Sequence, residues 1–279
     1  MAELKREPDL VDAQTGVGHA NEPHRARRVA QSFGVDAARY DRTRPSYPEA
    51  LIARVVAASP GPRVVDVGCG TGIVARLLRA AGCQVLGVEV DARMAEFARR
   101  GGLEVEVAAF EDWEPAGRAF DAVVSGQSWH WVDPAKGAAN AARALCPGGR
   151  LTVFWNAFAP PLEIAEAFAS VYRHVAPDLP FSPWAAPTLD ADASLAARAV
   201  DGMRAAGDFG DAEQWRFGWE RTYSRDDWLD QVPTHGGHHQ LPTAQLNQLL
   251  AGLGAAFDVF GGSITMPYVT LAVTAERTG

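Results

Sequence analysis

The sequence predicts an α/β protein: a doubly wound, mostly parallel, Rossmann-like sheet with a helical cap inserted after the fifth strand. Three observations carry that prediction. Short apolar runs alternate with helix-spaced segments between 63 and 156, a glycine-rich turn joins the first run to the first helix, and the alternation stops after Asn156. Strands separated by helices need right-handed crossovers, which place parallel strands in a sheet covered on both faces.

The elements follow in order. Residues 1–32 form an N-terminal arm, polar and without apolar periodicity over 1–22. Residues 33–156 form the core and its lid. Within them Pro48 suits the first turn of a helix, "RVVDVG" (63–68) is a strand, and "GIVARLLRAAG" (72–82) has helical spacing. "QVLGVE" (84–89) is the second strand and "ARMAEFARRG" (92–101) the second helix. "LEVEVAAF" (103–110), "AFDAVVSG" (119–126) and "RLTVFWN" (150–156) are further strands, with a helix over 134–145 before the last. The amphipathic stretch 161–177 and the Ala-rich stretch 190–206 break the rhythm, so 157–212 is expected to be the cap. Residues 213–279 complete the sheet and the substrate pocket: a strand over 213–224, a capping box from Ser224 to Asp227, a helix from Thr243, and a strand over 262–277.

Composition narrows the function. The 279 residues carry 26 Lys and Arg against 34 Asp and Glu, a net charge of −8. Such a surface repels phosphate backbones, so a small-molecule substrate is expected and nucleic acid is not. No apolar run reaches the ~20 residues that span a bilayer. The opening "MAELKREPDLVD" lacks the apolar stretch of a secretory signal. Cys69, Cys83 and Cys146 are scattered and odd in number, which suits reduced thiols. A cytoplasmic protein without a membrane partner is the expectation.

The most informative segment is "VVDVGCGTGIVARLL" (64–78), followed by "GVEVD" (87–91). A strand carrying Asp66 runs into Gly68, Gly70 and Gly72, where the backbone can turn sharply and approach a ligand. Glu89 ends the next strand, about 20 residues on, where a carboxylate can accept hydrogen bonds from a ribose. A nicotinamide-binding turn wants a sixth-position Gly or Ala, and here that residue is Ile73. An acid ahead of the glycines disfavours pyrophosphate and suits a ligand bearing an ammonium or sulfonium. A nicotinamide-dependent oxidoreductase is disfavoured on both grounds.

This pattern resembles the class I S-adenosylmethionine-dependent methyltransferases over about 33–156. "DVGCGTG" looks like their first motif and Glu89 like their ribose-binding acid. "AAFEDW" (108–113) is similar to their adenine-contacting segment, and "LCPGGRL" (145–151) to the turn into their fifth strand. Ala109 stands where many members have Asp, so the resemblance leaves the adenine contact to Phe110 and Glu111. "YDRTRPSYP" (40–48) looks like the lid of one subgroup, in which a Tyr and an Arg close over the methionine end of the cofactor. The resemblance implies those roles for Tyr40 and Arg44, although Tyr40 can equally be a core packer. It also implies that 263–275 is the family's antiparallel seventh strand.

The resemblance implies an S-adenosyl-L-methionine-dependent enzyme acting on a small molecule. Methyl transfer from a sulfonium is an in-line displacement, so the protein must mainly align the reactants and exclude water. "SGQSWHWVDP" (125–134) leaves the fourth strand at the ligand-binding edge of the sheet. Gln127 and His130 are the catalytic candidates, with Trp129 and Trp131 as walls. His130 and Trp131 can instead be packing residues. Phe158, Phe168, Tyr172 and Trp184 supply aromatic surface from the cap, as pocket or as core. A cofactor-binding module without catalysis also fits.

Last comes "PTHGGHHQL" (233–241). His235, His238 and His239 are three of the seven histidines, with two glycines between them. Three imidazoles can hold a divalent ion such as zinc and leave an open position. Such a Lewis acid would stabilise the enolate of a 2-oxo acid during methylation of its β-carbon. On that ground the chain also resembles the α-keto acid C-methyltransferases of peptide-antibiotic biosynthesis. Two alternatives stay open: metal-independent O- or N-methylation of a small metabolite or natural product, with the loop solvated, and a loop held by structural hydrogen bonds.

Overall fold

The computed structural model describes residues 33–158, 160–177, 179 and 188–279, without the side chains of 188–192 and 239. The expected N-terminal arm and Trp184 lie outside the described residues. Seven strands form one sheet: β1 (Arg63–Val67), β2 (Gln84–Glu89), β3 (Glu104–Val107), β4 (Phe120–Gly126), β5 (Leu145–Phe158), β6 (Glu213–Ser224) and β7 (Ser263–Glu276). Their order is β3-β2-β1-β4-β5-β7-β6. The first five are parallel, and β7 runs antiparallel to both β5 and β6. This is the doubly wound, mostly parallel sheet that the alternation of elements predicts. β1 lies between β2 and β4, so the strand order reverses there, and ligands of open α/β sheets bind in the crevice such a reversal opens.

The helices are α1 (Ala37–Thr43), α2 (Glu49–Ala58), α3 (Ile73–Ala80), α4 (Ala92–Arg100), α5 (Pro134–Ala144), α6 (Leu162–Val175), α7 (Thr188–Ala206), α8 (Arg225–Gln231) and α9 (Thr243–Val259). The period of two along each strand sorts side chains between the sheet's faces. Val64, Val124, Phe154 and Trp215 meet Leu51 and Val55 of α2 and Val74 and Leu78 of α3. Val65, Val123, Val153 and Trp155 face the other way, against the alanines of α5 and Ala196, Ala199 and Met203 of α7. A third core, with Phe168, Tyr172, Trp228, Leu253 and Phe257, joins α6, α8 and α9 to the start of β7 and the end of β6. Ser224 and Asp227 form the expected reciprocal capping box at α8.

The two helices expected to form one inserted cap therefore part company. α6 joins α8 and α9, whereas α7 lies on the sheet and against α5. Small residues allow that approach: a Cβ on Gly202 would run into the Pro134 carbonyl.

Candidate active site

Three glycines build the turn between β1 and α3 in the left-handed region, Gly68 at φ +63, Gly70 at +54 and Gly72 at +88. Side chains rarely adopt such angles. Gly68 also needs its missing side chain, since a Cβ would lie 2.5 Å from that of Ser128 in the loop after β4. The Gly70 amide donates to Glu89 Oε2 at 2.8 Å, and the Asp91 amide donates to Oε1 at 2.9 Å. Each carboxylate oxygen can accept a second hydrogen bond. Burial raises the Glu89 carboxyl above its usual range, opposed by those two amides.

Asp66 sits below the turn and is buried, and its Oδ2 has no hydrogen-bond partner among the described residues. Burial first, and the charge of Glu89 second, push its carboxyl up to about 8. Asp66 lines a cleft together with Gly68, Gly70, Tyr40, Arg44, Tyr47, Gln127 and Asn156. Gln127 closes β4 at φ +55, an uncommon angle for a residue with a side chain, and its amide donates to the Asn156 carbonyl at 3.2 Å.

The segment 33–47 lies along this edge. Phe33 reaches Tyr40 and Trp131, with ring centroids 5.9 and 6.3 Å away, and the Gly34 amide donates to Asp91 at 3.1 Å. This segment thus touches residues beyond β2 and beyond β4. Arg39 and Arg42 tie α1 to Asp230 of α8, and Arg76 ties it to the core through Asp41. The Arg44 guanidinium lies 4.9 Å from the Tyr40 ring centre.

Other expected residues stand elsewhere. His130 belongs to the core under α7: its Nδ1 accepts from the Trp155 indole at 3.3 Å, near Leu195 and Ala199. Burial, and then the Arg198 charge, pull its pKa down to about 4. It does not line the cleft, because the turn after β4 carries Trp129 and His130 toward the face that α7 covers. Phe110 is buried against Trp113 and Trp129, and Glu111 accepts from the Asp133 amide at the start of α5. Neither lines the described cleft.

The three-histidine centre is not assembled among the described residues. His238 is buried, with Nε2 2.9 Å from the Tyr172 hydroxyl and Nδ1 3.4 Å from the Gly236 carbonyl. A hydroxyl donating to one nitrogen and an N–H donated by the other leave no lone pair for an ion. His235 Nε2 lies 3.2 Å from the Gln231 amide nitrogen, and the two imidazole centroids are 5.5 Å apart, edge to face. The His239 side chain is outside the described residues. Among the described residues no three His, Cys, Asp or Glu side chains are grouped to hold a metal. These donors do not fit a resident metal.

Two cleft residues escape a reading of the sequence. Tyr47 is partly buried with its hydroxyl near Gly126, and desolvation raises its pKa well above the ordinary value. Asn156 joins three segments: Nδ2 donates to the Ser46 carbonyl, Oδ1 accepts from Thr270, and its own carbonyl accepts from Gln127. The signal for it was the one polar residue closing the apolar run "LTVFW".

Residues 65–153 match the family described as "Methyltransferase domain". An uncharacterized methyltransferase of Mycobacterium tuberculosis is 38% identical over 133 residues, 47% of this chain and 54% of that one. The matched chain thus spans about half the length of that relative. A demethylmenaquinone methyltransferase of Tropheryma whipplei is 28% identical over 164 residues, 54% of this chain and 68% of that one. The solved structure of a candidate type II methyltransferase from Anaeromyxobacter dehalogenans superposes with a TM-score of 0.60 at 19% identity, covering 84% of this chain and 97% of that one. Residues 65–153 are thus similar to methyltransferase domains, and the chain shares the fold of that solved structure.

Proposed function

We propose that the protein is an S-adenosyl-L-methionine-dependent methyltransferase acting on a small molecule. Asp66 carries this reading: a buried carboxyl with an unpartnered oxygen, facing a cleft at the sheet's switch point. A buried acid in that position calls for a cation. S-adenosylmethionine brings an ammonium and a sulfonium, whereas a dinucleotide would bring pyrophosphate to the same spot.

In this reading the glycines of the turn let the backbone meet the cofactor, and Glu89 accepts from its ribose hydroxyls. The backbone of 108–111 flanks the adenine, with Phe110 packed beneath it on Trp113 and Trp129. Tyr40 and Arg44 cover the methionine end, with Arg44 matching its carboxylate. When bound, the cofactor supplies an activated methyl group. Gln127 and Asn156 fix the wall on the acceptor side, and the lid keeps water out. Aligning two reactants in a dry site supplies most of what such a displacement needs.

Methylation of a 2-oxo acid carbon was expected to draw on a metal held by His235, His238 and His239. With His238 bound to Tyr172 and Gly236, we propose instead transfer to an oxygen or nitrogen nucleophile, which needs no metal. Calorimetric titration should show binding of S-adenosylmethionine and none of NAD. Mass spectrometry should show S-adenosylhomocysteine forming when a metabolite extract is added. Binding of NAD alone would overturn the reading. Cofactor binding without turnover on any extract would reduce the protein to a binding module.

A further inference from the structure

Three aromatic side chains form a shelf beside the cofactor cleft. Phe158, Tyr268 and Trp219 are in register across β5, β7 and β6. Trp219 stacks on Tyr268 at 4.4 Å and 15°, and Phe158 lies 6.0 Å from the same ring. The preceding row on this face is Asn156, Thr270 and Phe217. Its polar members are linked: the Trp219 indole donates to Thr270, which donates to Asn156. Asn156 lines the cofactor cleft, so the shelf begins where the cleft ends. Phe158 and Trp219 are only partly buried, which leaves apolar surface for a ligand.

Cations gather at the far side of this shelf. The Tyr268 hydroxyl meets that of Tyr223 at 2.6 Å, and the Arg221 guanidinium lies 4.5 Å from the Tyr223 ring centre. Arg221 also donates to the Thr43 carbonyl at 3.2 Å, one residue from Arg44. Both guanidinium charges act on Tyr223 and Tyr268, and Arg44 acts on half-buried His235. Nearby Arg39 and Arg42 are matched by Asp230, and Arg76 by Asp41. No described carboxylate pairs in that way with Arg44 or Arg221. The carboxylate within reach of Arg221 is Asp227, which is engaged by Ser224. Two half-buried guanidinium groups over an apolar floor, in a chain of net charge −8, make a site for an anion.

We propose that the acceptor is a small ring-bearing acid, its acid group held by Arg221 and Arg44 and its ring on the shelf of Trp219 and Phe158. This rests on the methyltransferase reading and names its substrate class. Arg44 stands at the boundary and also serves the cofactor, so Arg221 is the specificity-determining residue. The acid group is a carboxylate or a phosphate, both of which match the guanidinium fork.

The test is calorimetric titration of the protein saturated with S-adenosylhomocysteine, using phenylacetate, phenyl phosphate and the neutral phenylacetamide. At least one acid should bind at least tenfold more tightly than the amide, and the better acid identifies the group. Arg221→Gln should abolish that preference and leave S-adenosylhomocysteine affinity unchanged, while Arg221→Lys should restore part of it. Trp219→Ala should weaken acid and amide alike. Equal binding of acid and amide, no binding of either acid, or a preference that survives in a folded Arg221→Gln protein would overturn the inference and leave the methyltransferase reading intact. Failure of S-adenosylhomocysteine itself to bind would overturn both.

Discussion

Asp66 lies buried within reach of the Glu89 charge, and burial together with that charge places its carboxyl at about 8. At pH 7 the empty site therefore holds Asp66 mainly protonated. A cation bound against it favours the carboxylate and lowers that pKa. Binding of S-adenosylmethionine near pH 7 should release a proton, and affinity should rise from pH 6 to 8 and then level off. Titration in two buffers of different ionisation enthalpy measures that proton directly. Zero release at pH 7, with affinity independent of pH, would remove Asp66 from the cation's environment. Asp66→Asn should flatten the profile.

Glu89 holds the glycine turn to the end of β2 through the Gly70 and Asp91 amides. Glu89→Ala therefore costs turn geometry as well as the proposed ribose contact. Losing a hydrogen bond to a charged group costs ~1.5–3 kcal/mol, or roughly ten- to a hundredfold in affinity. Glu89→Gln should fall between the two, because it keeps one acceptor and loses the charge. Wild-type affinity in Glu89→Ala would end the ribose assignment.

The lid closes where the Gly34 amide meets Asp91, whose carboxylate is also held by Arg93. A Cβ on residue 34 would collide with all three atoms of that carboxylate. Gly34→Ala should lift the lid and weaken cofactor binding by about tenfold, equivalent to about 1.4 kcal/mol. Tyr40→Ala should act in the same direction, whereas deleting 1–32 should leave binding largely intact. Stopped-flow dissociation rates would separate lid opening from loss of contacts, because both substitutions should speed release.

What the sequence disclosed follows the range of the interactions involved. β2 and β6 stand where apolar alternation puts them, and the turn from Asp66 through Gly72 declares its left-handed angles by being glycine. Those are local properties. The placement of α7 was not legible, because its small residues permit close packing on α5 without saying which partner they meet. His130 was misleading for a related reason. Its neighbours in sequence lie at the ligand edge, but one turn rotates its ring toward Trp155, 25 residues away. Asn156 gains its role from Ser46 and Thr270, 110 and 114 residues distant, and no spacing rule connects them.

His130 should therefore behave as a core residue. His130→Ala leaves the Trp155 indole N–H buried without an acceptor, a loss of ~1–3 kcal/mol before the cavity is counted. Denaturant unfolding should show that destabilisation, while turnover at saturating substrates, measured well below the melting temperature, should stay near wild type. Because its pKa is drawn down to about 4, His130 stays neutral across pH 5–9 and contributes no step to the pH–rate profile there. A fall in kcat of a hundredfold with stability preserved would return His130 to the chemistry.

His238 bridges the loop before α9 to α6 through the Tyr172 hydroxyl, so its role should appear in stability as well. His238→Ala and Tyr172→Phe each remove that bond. If the bond is what the two residues share, the double variant should lose less than the sum of the singles, with a coupling of ~0.5–3 kcal/mol. His238→Ala should cost more than Tyr172→Phe, because it strips a larger group from a fully buried site. Dialysis against a strong chelator should leave melting temperature and cofactor affinity unchanged. Elemental analysis of protein purified without a nickel column checks the same point. Stoichiometric metal that disappears in His238→Ala, together with a melting temperature that falls on chelation, would show that His238 exchanges Tyr172 for an ion.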